Sequence, residues 1–336
     1  MLQITLETPG RFVPVEIPEP TLAPGEALVR IHRIGVCGTD LHAFRGRQPF
    51  FTYPRVLGHE LGVEVLDPGS DPHGLRAGDR CAVEPYLNCG RCIACRRGKP
   101  NCCAELKVLG VHVDGGMRPR LAVPARKLHP SATLSFDQLA LVETLAIGCH
   151  AVERARMEPD EYVLVIGAGP IGLSVIQFAR LAGVRLAVMD ISEARLAFCR
   201  RAFGLAATLP AGPGAADRIR AAGGGDLPTT IFDATGNAES MAGTFELAAP
   251  GGQIVFVGLF QGDVTFHDPL FHRRELTLKA TRNALPETFR GIVRQMEEIQ
   301  LDVTPWITHR FALTDTPERF PVVAADASAV KTMIHG

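Results

Sequence analysis

The 336-residue chain has no surplus of charge: 35 Lys and Arg stand against 36 Asp and Glu, a formal net charge of −1. Nucleic-acid backbones and anionic membranes both select clustered positive charge, so neither is expected as a partner. No uninterrupted apolar run approaches the roughly 20 residues that a membrane helix needs. The opening MLQITLETPG lacks the basic stretch and apolar core of a secretory leader. A soluble, cytoplasmic protein is therefore expected. Internal repeats and low-complexity linkers are missing too, which argues against a repeat architecture. With 46% apolar residues the chain has material for a globular core, and its length suggests about two domains.

What the chain does have is cysteine. Five of its nine (Cys89, Cys92, Cys95, Cys102 and Cys103) fall between positions 89 and 103. In a reducing compartment such crowding argues for metal before a disulfide-bonded loop. Cys89, Cys92, Cys95 and Cys103 are spaced C-x2-C-x2-C-x7-C, which brings four thiolates around one tetrahedral ion, and zinc is the expected metal. Four sulfur ligands close the coordination shell, so the predicted role is structural. Cys102 is an alternative to Cys103 as the fourth ligand. A zinc ribbon gripping nucleic acid is a rival reading to which Arg91, Arg96, Arg97 and Lys99 lend substance; acidic neighbours and a dinucleotide fold weaken it.

Residues 1 to 145 carry short strand-like runs such as ALVRIHRIGV and LGVEVL, punctuated by Pro and Gly, and read as an irregular, mostly β domain. From 146 the texture becomes α/β. EYVLVIGAG is an apolar strand ending in glycines, PIGLSVIQFARLAG has helical spacing, and VRLAVMD is a second strand, the sign of a parallel unit. The alternation continues through SEARLAFCRRAFG, PTTIFDATG, ESMAGTFELAA and GGQIVFVG, then a polar segment LFQGDVTFHDPLFHRRE, to 283. The tail, 284 to 336, contains a helix in PETFRGIVRQMEEIQ and short strands.

Gly167, Gly169 and Gly172 form G-x-G-x-x-G, with Pro170 and Ile171 between the last two, at the junction of strand YVLVI and the following helix. The first glycine suits a tight turn, the second lets backbone approach a pyrophosphate, and the third lets helix and strand pack closely. The helix N-terminus offers unpaired N–H groups to the phosphates. Asp190 ends the next strand, 23 residues on (190 − 167). A carboxylate there binds both ribose hydroxyls and repels a 2′-phosphate, so NAD is favoured over NADP. Arg195 pulls slightly the other way. An ordinary glycine-rich turn is the rival reading, which strand, helix and acid in register disfavour.

A second constellation is Cys37 in GVCGTDLH with His59 and Glu60 in VLGHE. Thiolate, imidazole and carboxylate suit a catalytic zinc that keeps a position open. Taken singly, each has a plainer reading as a buried thiol or a hydrogen-bonded core group.

GVCGTDLH, YPRVLGHELGVEV, AGDRCAVEP, CGRCIACRRGKPNCC and VLVIGAGPIGL together resemble the zinc-dependent medium-chain alcohol dehydrogenases, in their sorbitol and threonine dehydrogenase branch, over essentially the whole chain. More narrowly, FRGRQPFFTYPRVLGHE, VLGVHVDGG, VGLFQGDVTFHDPLFHRRE and RNALPETF resemble bacterial sugar-acid dehydrogenases that oxidise L-galactonate or L-gulonate at C5. The resemblance implies a GroES-like catalytic domain, residues 1–145 with 284–336, and a Rossmann domain with a doubly wound parallel sheet inserted at 146–283. It also implies a homodimer or homotetramer. It makes Cys37, His59 and Glu60 ligands of a catalytic zinc and Glu143 a further or alternating ligand that also faces substrate. Thr39 corresponds to a hydroxyl beside the metal and His42 to a group that passes its proton towards solvent. Cys89, Cys92, Cys95 and Cys103 become the structural-zinc ligands. The chain departs from the family pattern in GGMRPR, where Met117, Arg118 and Arg120 stand in place of an aromatic followed by small and acidic residues.

The expected reaction is hydride transfer from a secondary alcohol of a sugar acid to NAD, giving the keto acid, with two zinc ions per chain. Arg282 is the favoured grip for the substrate carboxylate, since the resemblance places RN near the cleft and a guanidinium holds a carboxylate through two hydrogen bonds. His272, Arg273 and Arg118 are lesser candidates, with a solvated surface cation as the plain alternative. Phe44, Phe50 and Phe51 either wall the pocket or belong to the core. A polyol such as sorbitol, or threonine, is the nearest alternative substrate. A non-catalytic zinc- and dinucleotide-binding redox sensor is the reading of another class. Cys81, Cys149 and Cys199 are expected to be buried thiols.

Overall fold

The computed structural model of the chain describes residues 1–49, 51–70, 73–298 and 301–336. They divide into two compact units, Met1–Thr144 with Leu285–Gly336, and Leu145–Ala284.

The first unit is built on a seven-stranded sheet. Its path runs Ile307–Ala312, Lys331–His335, Glu26–Val36, Glu60–Asp67, Arg80–Val83 and Leu128–Ser131, with Arg120–Pro124 also pairing Glu26–Val36. Alternating apolar residues of these strands, Val29, Ile31, Val63 and Val65 among them, face a common core closed by Phe320 and Val323. The central antiparallel pair explains why residues 22 positions apart in sequence meet (59 − 37). Gly35 lies opposite Glu60, so Cys37, just past the end of one strand, and His59, just before the start of the other, emerge at the same end of the pair. A Cβ at Gly35 would sit 2.0 Å from Glu60 Oε2, so only glycine leaves room for that carboxylate. Cys37 then caps the short helix Gly38–Phe44, and its backbone N–H donates to Asp40 Oδ2 at 2.9 Å.

The second unit is a six-stranded parallel sheet in the order Ala207–Pro210, Arg185–Asp190, Tyr162–Ile166, Thr230–Asp233, Gln253–Phe256, Thr277–Ala280. Numbered along the chain this is 3-2-1-4-5-6, the order of a doubly wound dinucleotide-binding sheet. Every residue of Tyr162–Ile166 is buried, as a strand covered on both faces requires. The helices Pro170–Leu181, Glu193–Phe203, Ala215–Ala222 and Ala238–Leu247 connect the strands. The expected α/β class is the observed one.

Three features depart from the sequence reading. The helix Phe136–Ala155, 20 residues long, occupies a region expected to be mostly β and carries Glu143. Leu139–Val142, Leu145 and Ala146 are all buried, so its apolar residues do not trace the single stripe that betrays a surface helix. The polar segment after Gly258 contains the short helix Asp268–Arg273. Cys149 is only half-buried, beside Glu153 Oε1 at 3.7 Å, whereas Cys81 and Cys199 are fully buried thiols whose pKa burial pushes up to about 12. The expected tail helix spans Pro286–Glu297; residues 299 and 300, like Phe50, lie outside the described residues. Among the described residues no helix is long and apolar enough to cross a membrane.

Candidate active site

Cys89, Cys92, Cys95 and Cys103 bring their sulfur atoms within 4.8 Å of one another. Cys103 lies 3.4 Å from Cys89 and Cys92 3.6 Å from Cys95, with all four thiols free. A tetrahedral ion with metal–sulfur bonds of about 2.3 Å sets sulfurs roughly 3.8 Å apart, so the cradle fits zinc. Backbone N–H groups already point at the sulfurs: Cys89 donates to Cys103 Sγ at 3.3 Å and Ala104 to Cys92 Sγ at 3.4 Å. Hydrogen bonds from the Cys95 and Ala104 backbone bring the Cys92 thiol down to about 6, favouring the thiolate that a metal binds. Cys102 is exposed and outside the cluster.

The second cluster joins Cys37, His59 and Glu60, whose ligand atoms also fall within 4.8 Å of one another. His59 and Glu60 are buried. His59 Nδ1 faces Asp40 Oδ1 at 3.7 Å, and neither buried atom has a hydrogen-bond partner. Burial by itself lowers the His59 pKa, but the Asp40 carboxylate, then Cys37 and Glu143, outweigh it and carry the imidazole well above its ordinary value. A buried imidazole with an orphaned ring nitrogen, set among a carboxylate and a thiol that favour positive charge, is the electrostatic mould of a divalent metal. The residues present fit one.

Glu60 within the cluster and Glu143 beside it are carboxylates held differently. Glu60 accepts two hydrogen bonds from the Lys331 ammonium, while Glu143 Oε1 accepts one from the Tyr86 hydroxyl. Glu143 is not among the groups within 4.8 Å of Cys37 and His59, although its charge and that of His59 act on one another. Thr39 and His42 sit three residues apart on one face of Gly38–Phe44, Thr39 half-buried and His42 exposed. Partial burial of the His42 ring, then the cations of Arg45 and Arg47, lower its pKa.

In the second unit, Gly167 has φ +94° and a Cβ at Gly172 would lie 1.7 Å from the Gly167 carbonyl oxygen, so the turn admits no side chain there. A Cβ at Gly169 meets nothing within 4 Å. That open space above the N-terminus of Pro170–Leu181, whose first residues are Pro170 and Ile171, fits a pyrophosphate. Asp190 accepts from the backbone of Ala168 at 2.6 Å and of Ser192 at 2.7 Å, one bond to each oxygen. A carboxylate has about four acceptor positions, so two remain for ribose hydroxyls. Arg195, half-buried in the following helix, feels the Asp190 charge: burial lowers its pKa and Asp190 opposes that shift.

The cations proposed for a substrate carboxylate are scattered. Arg282 is exposed in the second unit, as are His272 and Arg273. Arg118 is engaged locally, donating to the Gly115 carbonyl at 3.1 Å beside Asp114, and Arg120 pairs with Glu19 at 2.9 Å. Phe44 stacks on Phe12 and tilts against Phe320, which makes it core; Phe51 packs on Tyr53. The sequence reading missed Asp40, Tyr86 and Lys331. Asp40 had a signal, three residues after Cys37 within the same short motif. Lys331 had none.

Residues 23–133 match the family model described as an alcohol dehydrogenase GroES-like domain, and residues 170–298 the one described as a zinc-binding dehydrogenase. The chain is 43% identical over 307 residues to L-galactonate-5-dehydrogenase of Escherichia coli (strain K12), covering 90% of each. It is 32% identical to D-altritol 5-dehydrogenase of Agrobacterium fabrum (strain C58 / ATCC 33970), covering 96% of each. An alcohol dehydrogenase from E. coli CFT073, crystallised with NADH, matches with a TM-score of 0.92 at 28% identity, over 100% of this chain and 99% of that one. Two cysteine-bearing clusters, a glycine turn on a 3-2-1-4-5-6 sheet and these likenesses lead to one conclusion: the chain belongs to the zinc-binding alcohol dehydrogenase family, and its units are GroES-like and Rossmann-type.

Proposed function

We propose that this dehydrogenase oxidises a secondary hydroxyl of a sugar acid of the L-galactonate or L-gulonate kind and passes the hydride to NAD. The likeness to L-galactonate-5-dehydrogenase across nearly the whole chain carries the substrate class. Cys37 and His59, with a carboxylate from Glu60 or Glu143, would hold the catalytic zinc, and the four-cysteine lobe a structural one. When bound, the catalytic ion supplies Lewis acidity that eases ionisation of an alcohol, and NAD supplies the hydride acceptor.

The rest falls to the chain. Thr39 Oγ1 takes the hydroxyl proton while releasing its own, and His42, exposed on the same helix face and disposed to be neutral, delivers that proton to solvent. The carbinol hydrogen leaves with two electrons, so the substrate becomes a ketone and NAD becomes NADH. Asp190 holds the adenosine ribose and disfavours a 2′-phosphate. Arg282 grips the carboxylate. A polyol substrate is the second reading, favoured by the likeness to D-altritol 5-dehydrogenase. We also propose a cytoplasmic location, supported by nine free thiols, and a homodimer or homotetramer, supported by Thr277–Ala280 standing at a sheet edge with Leu278 exposed.

The test is a panel of L-galactonate, L-gulonate, sorbitol, threonine and ethanol, each with NAD and with NADP, before and after chelation. A sugar acid with NAD should give the highest kcat/KM, lost on chelation. Preference for threonine or ethanol would sink the substrate assignment, and preference for sorbitol would select the polyol reading.

A further inference from the structure

We propose that Tyr86 is a positioning residue of the metal centre: its hydroxyl fixes Glu143 so that one carboxylate oxygen is occupied and the other is reserved for the ion. This rests on the reading above that Glu143 belongs to the catalytic metal set. Tyr86 is one of three tyrosines in the chain, only 2% exposed, and its hydroxyl donates to Glu143 Oε1. A buried phenol needs a partner, and a carboxylate gives the stronger, charge-assisted bond. Glu143 therefore loses the freedom to turn about its terminal torsion, which a carboxylate otherwise keeps.

The hydroxyl is delivered from a clamped segment. The Tyr86 ring meets Phe289 edge-on at 5.9 Å, and Phe289 stacks in turn on His129 at 5.2 Å. Tyr86 pairs with Val108 in a two-stranded sheet, and the Leu109 N–H donates to the Pro85 carbonyl at 3.1 Å. Two residues before it, buried Glu84 accepts from the Lys127 ammonium and contacts His129 Nε2 at 3.3 Å. Two residues after it, Asn88 Nδ2 lies 3.8 Å from Cys95 Sγ in the cysteine lobe. The segment is thus tied at one end to a buried ion pair and at the other to the lobe, with the phenol between. Glu60, by contrast, has both oxygens committed to Lys331.

The protein loaded with two zinc ions is challenged with a chelator, and the cobalt-substituted form is examined by visible absorption. Tyr86→Phe keeps the ring and removes the hydroxyl. Partners behind metal ligands are worth roughly 10–100-fold in metal affinity, so release of one of the two ions should quicken by about that factor while the lobe ion leaves at its former rate. The cobalt spectrum should shift. In a Glu143→Gln background Tyr86→Phe should add nothing; equal acceleration in both backgrounds overturns the proposal, because a structural defect would act in either. Unchanged release and spectrum in Tyr86→Phe overturn it as well. A wild-type chain that binds a single zinc sinks the metal-set reading and this proposal together, whereas two ions with an indifferent Tyr86→Phe sink the proposal alone. Should Tyr86→Phe not fold, zinc titration of the metal-free wild type should perturb one tyrosine in the ultraviolet difference spectrum as the second ion binds, and no perturbation overturns the role.

Discussion

Lys331 Nζ donates to both carboxylate oxygens of Glu60, at 2.6 and 2.7 Å, with the two side chains 1% and 0% exposed. It also reaches the Val36 carbonyl at 3.2 Å and Thr144 Oγ1 at 3.1 Å. Burial by itself lowers the Lys331 pKa, but the charges of Glu60 and Cys37 outweigh it and hold the ammonium in place. Removing one member of a buried pair leaves an uncompensated charge and typically costs about 3–5 kcal/mol. Lys331→Met should therefore lower the stability of the apoprotein in urea by that order, and adding Glu60→Gln should restore much of the loss. A single variant as stable as wild type would show that the pair does not hold the site.

Cys37→Ala and His59→Ala should each leave one zinc per chain instead of two, by metal analysis, and abolish turnover. NADH binding, followed by fluorescence, should persist, because the glycine turn and Asp190 lie in the other unit. Full activity in either variant would refute the assigned metal site.

Asp190→Asn removes the charge that is to receive two ribose hydroxyls. Hydrogen bonds to a charged group contribute about 1.5–3 kcal/mol each, so kcat/KM for NAD should fall on the order of 10–100-fold. The ratio of NADP to NAD activity should rise. An unchanged ratio would separate Asp190 from cofactor choice.

In metal-stripped protein the lobe thiols should differ in reactivity. Cys92, brought down to about 6 by backbone donors, is a thiolate at neutral pH and should be alkylated quickly, its rate dropping as pH falls through about 6 and the thiol form accumulates. Cys103, pushed up to about 11 by burial, should react only in far more alkaline solution. Peptide mapping after brief alkylation at several pH values tests the order.

The parallel unit was legible because its strands are continuous apolar runs and its turn glycines are constrained by sterics that few other residues satisfy, as Gly172 illustrates. The cysteine lobe was legible because all its ligands lie within one short stretch. Cys37 and His59 could be paired only through resemblance, since their proximity depends on the register that sets Gly35 opposite Glu60. Phe136–Ala155 escaped notice because apolar residues on several faces erase helical periodicity. Tyr86 and Lys331 act through tertiary contacts spanning 57 and 271 positions, and no local pattern marks such partners.

The separation of Glu60 from Lys331 has a consequence for how the protein is made. The four cysteines of the lobe need only the closure of short loops, which carries a small entropic cost, so they can come together while the nascent chain is still being extended. The cluster of Cys37, His59 and Glu60 cannot be finished then. Its buried carboxylate stays without its counter-ion until the entire dinucleotide unit and the strand Lys331–His335 have left the ribosome. The thiols of the lobe can thereby gather early, whereas the Glu60–Lys331 pair is among the last contacts that a growing chain can make.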